Sequence, residues 1–188
     1  MAGRTGKRRT IGAAALSLGA LILAMGCSGV MDDGLNYTPE TLAVEKARDR
    51  ASEKSSQILD LIGIDEGKVT EPGPSVTPCK EDPEHLYRTG HPWSVYGVSS
   101  EEVLRKGFQR LREKLPRHGW KIVEYGPNSS KARTLELTAD STKDRYSLNV
   151  ELRVSSPTAG KESNPLILVH VVSGCYRAPK GTKLDQEF

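Results

Sequence analysis

Nothing in this chain of 188 residues announces a catalyst. It has no G-x-S-x-G elbow and no S-x-x-K serine site. It also lacks a phosphate loop and a dinucleotide fingerprint. No familiar nucleophile or nucleotide cradle is therefore legible. Long apolar runs are missing too. The uncharged stretch from Ile11 to Gly26 falls short of the roughly 20 apolar residues that cross a bilayer as a helix. Surplus charge of one sign is largely absent. The whole chain carries 27 Lys and Arg against 24 Asp and Glu, a net of +3. Four of the basic residues are Arg4, Lys7, Arg8 and Arg9, at the extreme N-terminus. Without them 23 basic groups face 24 acidic ones, a net of −1. Such a balance gives no ground for a nucleic-acid partner or a polybasic membrane patch.

What is present begins with those four cations. A basic start, a short apolar run and small residues before Cys27 make an export signal over residues 1–26. Leu23-Ala24-Met25-Gly26-Cys27 resembles the lipobox of bacterial lipoproteins, although Ala24 stands where a larger aliphatic residue is usual. That resemblance implies a diacylglycerol on Cys27, cleavage before it, and an address on the extracytoplasmic face of the cell membrane. The Arg8-Arg9 pair leaves the general secretory and twin-arginine routes both open.

Two cysteines remain, Cys79 and Cys175. An even pair in an exported chain reads as a disulfide. It would tie together the two ends of the folded unit.

Residues 27–38 read as a flexible tether. Thr38-Pro39-Glu40 has the chemistry of a helix start, and a helix is expected over 39–63, ending at Gly63. Its first half looks solvated, with Lys46–Asp49 and Arg50–Glu53 paired at three-residue spacing. Its second half, with Ile58, Leu59, Leu61 and Ile62, can dock on a core. Residues 64–82 hold Pro72, Gly73, Pro74 and Pro78 and read as an extended linker.

The domain proper is expected over 83–178. Strand-like segments around Leu86–Arg88 and Trp93–Val98 are separated by Gly90-His91-Pro92. Ser99-Ser100-Glu101-Glu102 offers a capping box for a helix with Val103, Leu104, Phe108, Leu111 and Leu115 on one stripe. Strands follow from Trp120, Leu135 and Tyr146, the last two with apolar and polar residues in alternation. The apolar run Leu166 to Val172 reads as a central strand, and residues 179–188 as a frayed tail. The expected architecture is α+β, a two-layer sandwich with one or two helices on an antiparallel sheet of four or five strands.

The pattern Trp93-Ser94-Val95-Tyr96-Gly97, His118-Gly119-Trp120 and Ser173-Gly174-Cys175 resembles small, uncharacterised lipoproteins of actinobacteria over about residues 40 to 178. That resemblance brings no activity and no site residue with it.

His85 and His91 lie near Cys79, but their spacing matches no zinc site. His170 reads as a packed or rim histidine. Glu124, Glu136 and Glu151 could face one another on neighbouring strands, where solvation is their ordinary role. No catalytic residue, metal or cofactor is expected. The leading expectation is a non-enzymatic, membrane-anchored lipoprotein that binds or positions an envelope protein or cell-wall component. Its partner surface is expected at Asn149, Glu151 and Arg153, or on a rim holding Tyr96 and His91. A small-ligand carrier is the alternative, and an envelope hydrolase the third.

Overall fold

The computed structural model describes residues 34–184 apart from 71 and 159. The export signal and Cys27 lie outside the described residues. Within them the chain runs α1 (Val44–Ile62), β1 (Lys68–Val69), β2 (Ser75–Pro78), β3 (Leu86–Tyr96), α2 (Glu101–Lys114), β4 (Trp120–Pro127), β5 (Leu135–Ser141), β6 (Tyr146–Arg153), β7 (Leu166–Ser173) and β8 (Tyr176–Arg177). The fold is α+β, with two helices and one antiparallel sheet of eight strands. Five strands are long, in the order β3-β7-β6-β5-β4. The short strands β1, β2 and β8 all pair with β3. They account for the excess over four or five, and two of them come from the segment expected to be a linker.

Period-2 alternation decides the sheet. Tyr146, Leu148, Val150 and Leu152 of β6 are buried, as are Ile167, Val169 and Val171 of β7. Both helices lay their apolar sides over that face. Leu104, Phe108, Leu111 and Leu115 join Ile58, Leu61 and Ile62 in one core with Trp93, Trp120 and the inward strand residues. β7 is central, between β3 and β6. Its apolar run is nevertheless buried on one face only, for His170 is exposed and Leu166, Leu168 and Val172 are half-buried.

Helix α1 starts at Val44, five residues later than expected. Residues 40–42 instead lie extended beside β8, with Leu42 N donating to Arg177 O at 3.0 Å and Arg177 N to Glu40 O at 2.8 Å. The cause is a second, smaller core. Leu42, Val44 and Ala47 pack there with Tyr87 and Leu184, and the Tyr87 hydroxyl donates to Leu42 O. The first half of α1 is therefore docked rather than solvated. Its cations pair away from the helix, Arg50 with Glu40 and Lys54 with Asp144. At the far end Gly63 takes the left-handed conformation and caps Leu59 O, as the sequence predicts.

Four further expectations change. Ser100 occupies the N-cap of α2 but makes no side-chain cap. Glu101 reaches instead to Ser155, taking hydrogen bonds from its backbone N–H and its hydroxyl. Gly90-His91-Pro92 does not interrupt the strand, since β3 runs unbroken and pairs β7 through all three. Tyr37, assigned to the tether, is docked. Its hydroxyl accepts from Cys175 N at 2.6 Å, and the Arg145 guanidinium lies 3.7 Å from its ring centroid. Leu184, assigned to the tail, is buried in the second core.

Candidate functional site

The disulfide joins Cys79, just past β2, to Cys175, between β7 and β8, with Cα atoms 6.3 Å apart. Glu81 lies close to both sulfurs. Disulfide sulfurs are not thiolates, so this group offers a metal one carboxylate and no more.

With both helices on one side, the opposite side of the sheet carries the outward residues of five strands. Register sets them in rows. One row reads Glu124, Thr138, Asn149, His170 and Pro92 across β4, β5, β6, β7 and β3. The next reads Gly126, Glu136, Glu151, Leu168 and Ser94. The third brings Arg153, Leu166 and Tyr96 together. Asn149, Glu151, Arg153 and Tyr96 thus share one face. His91 does not. It pairs with Val171 and belongs to the helix side, with Trp93 and Val95. A two-residue strand period separates it from Tyr96, five positions on. The two residues expected on one rim therefore lie on opposite faces of β3.

The face divides chemically. On β4, β5 and β6, register places Glu124, Glu136, Asp140 and Glu151 there against Lys121 and Arg153. Four carboxylates with two cations make that half acidic. Glu136 and Glu151 stand directly opposite each other. Each has a partner that relieves the repulsion: the Asn149 amide donates to Glu136, and Arg153 Nε donates to Glu151 at 2.9 Å. The Ser147 hydroxyl donates to Asp140 at 2.8 Å. The other half, on β7 and β3, is apolar around one imidazole. Leu166, Leu168 and Val172 are half-buried there and Pro92 is exposed. Partial desolvation on the sheet face, with the Arg88 guanidinium and the His91 ring nearby, holds the His170 pKa below its ordinary value. His170 is therefore neutral at pH 7.

No family model, curated protein or solved structure matches this chain. What the face can do follows from its shape and charge. A shallow depression at Val123, Thr138, Asn149 and His170 measures about 170 Å³. That is below the roughly 300 Å³ at which pockets begin to enclose a drug-sized ligand. The face suits a surface, not a small molecule. Its acidic half arises from Glu124, Glu136 and Asp140 as much as from β6; the sequence already sets Glu124, Glu136 and Glu151 on neighbouring strands, and Asp140 is the addition that period-2 alternation could have found.

Proposed function

We propose that this protein is a membrane-anchored envelope lipoprotein without catalytic activity. A lipid on Cys27 holds it at the extracytoplasmic face, where it binds or positions another envelope component. Its working body is a two-layer sandwich, with helices on one side of the five long strands. The observation that carries the reading is a sheet face that neither helix covers among the described residues, acidic on β4–β6 and apolar on β7. Charge complementarity points to a protein partner presenting basic residues beside an apolar patch. Asn149, Glu151 and Arg153 sit where the two halves meet.

A photoreactive residue at Ser147 in intact cells tests this. One dominant protein crosslink is expected, weakened by salt and lost in the Asn149→Ala, Glu151→Ala, Arg153→Ala triple variant while the fold stays intact. An undiminished crosslink in the triple variant would sink the proposal, and attachment to cell-wall polymer would replace the partner class. The anchor has its own test. Cys27→Ser should move the protein out of the membrane fraction, and a variant retained there like the wild type refutes lipidation. A small-ligand carrier has support of its own, from a cleft on the other side of the sheet.

A further inference from the structure

Among the described residues, four buried side-chain polar atoms have no hydrogen-bond partner: Ser55 Oγ, Thr89 Oγ1, His91 Nδ1 and Trp93 Nε1. Each such atom costs about 1–3 kcal/mol, and native domains keep few of them. Three of the four, all but that of Thr89, belong to residues lining a single cleft of about 290 Å³ between α1 and β3. Ser55 and Trp93 are only 5% and 3% exposed.

The cleft is built in advance. One wall is formed by Thr70, Pro72, Gly73 and Pro74, held at several points. Thr70 N donates to Ser94 O at 3.0 Å, and Ser94 N donates to Thr70 Oγ1 at 2.8 Å. His91 Nε2 lies 2.9 Å from Pro72 O, and Arg48 Nε donates to Pro74 O at 2.9 Å. A wall already ordered leaves a ligand only a small displacement to make.

The same contacts fix the chemistry inside. A carbonyl oxygen can only accept, so His91 Nε2 carries the proton. In the neutral ring Nδ1 is then an acceptor. Trp93 Nε1 is a donor only, and the Ser55 hydroxyl can do either. Leu59, Val69 and Pro72 supply apolar surface. The described lining residues hold no carboxylate, ammonium or guanidinium group, and burying a lone charge here would go uncompensated. The unpaired atoms are screened from bulk water, so contact with them requires the wall to give slightly.

We propose that this cleft is a binding site for a small neutral ligand bearing a carboxamide or a hydroxyl group. The ligand's oxygen accepts from the Trp93 indole N–H, and its own N–H or O–H donates to His91 Nδ1. Ser55 takes a third hydrogen bond, and the apolar remainder lies along Leu59, Val69 and Pro72. The site is on the helix side of the sheet and independent of the partner face. Ser55 is the price in stability of keeping a hydroxyl on an otherwise apolar helix stripe.

Nuclear magnetic resonance on the full chain, ¹⁵N-labelled at tryptophan, tests it. The chain has two tryptophans, Trp93 and Trp120, and so two indole signals. The probes are butanamide and 1-butanol, with butyrate, butylammonium and 1-chlorobutane as matched controls. Butanamide and 1-butanol should shift the Trp93 signal saturably and leave Trp120 still. Ser55→Ala should weaken butanamide about five-fold, the worth of ~1 kcal/mol for one hydrogen bond, and raise the melting temperature. The absence of any saturable shift overturns the site. An equal response to 1-chlorobutane reduces it to an apolar cavity, and tighter binding of either ion refutes the ligand class. A lower melting temperature in Ser55→Ala shows the hydroxyl to be structural and removes the basis of the proposal.

Discussion

Removing the Cys79–Cys175 bridge should cost this protein about 4–5 kcal/mol, nearly all of it through the unfolded state. The cysteines are 96 residues apart. The chain-entropy relation assigns ~4.7 kcal/mol at 25 °C to a loop of that size. The native backbone at both ends is held by other bonds. Cys79 N donates to Leu86 O at 2.8 Å, and Cys175 N donates to the Tyr37 hydroxyl. Cutting the sulfurs apart therefore leaves the folded geometry in place and frees the denatured chain. The Cys79→Ala, Cys175→Ala double variant should keep the native spectrum. Its urea slope should rise, because a freed chain exposes more surface on unfolding. With a slope near ~2 kcal/mol per molar, the midpoint should fall by about 2–2.5 M. Fluorescence of Trp93 and Trp120, both buried, reports the transition. A midpoint shift under about 0.5 M would refute the reasoning, since it would mean that other contacts already constrain the denatured chain.

Phe108→Ala should destabilise by about 3–5 kcal/mol in the same urea assay, because its ring is 2% exposed in the main core. Gly107→Ala should also destabilise, by about 1 kcal/mol or more, although alanine is the better helix former. An added Cβ would lie 2.7 Å from Ile64 Cδ1 and 3.1 Å from Ile62 Cγ2 where α1 meets α2, and a more stable variant would show that this contact relaxes freely. For His170 the folded pKa lies below the ordinary 6.5, chiefly through burial, so the unfolded chain binds the proton more readily. Stability should then rise with pH up to about 6.5 and level off above it, and His170→Gln should remove that slope when midpoints are measured from pH 5 to 8.

The sequence shows most where two periods are unambiguous. The alternation from Tyr146 to Val154 predicts the buried face of β6, and the stripe from Leu104 to Leu115 predicts that of α2. Gly63 marks the end of α1. The misplaced start of α1 has a non-local cause. Thr38-Pro39-Glu40 has good capping chemistry, but Tyr87 and Leu184, distant in sequence, bury Leu42 and hold it extended. Strands β1 and β2 were hidden for a related reason. Val69, Val76 and Pro78 sit in proline-rich chain with no alternation, and only β3 as a template makes them strands. The capping box shows the same competition, for Glu66, far away in sequence, accepts hydrogen bonds from the Ser99 backbone N–H and hydroxyl.

These departures are unevenly spread. The half built by α2, β5 and β6 follows its local rules almost throughout, with apolar residues inward, polar residues outward and charged groups paired. The half built by α1 and β3 breaks them. Ser55 interrupts an apolar stripe between Ala51 and Ile58, His91 turns to the helix side, and Trp93 buries an indole N–H without an acceptor. A sequence that can satisfy its rules on one side has no folding reason to violate them on the other. An alanine at position 55 and a phenylalanine at position 93 would fill that space without stranded polar atoms. Consistency in the core between α2, β5 and β6 marks a part built for stability, and leaves recognition there to the outward sheet face. The cost carried by Ser55, His91 and Trp93 marks where the chain gives up stability for binding.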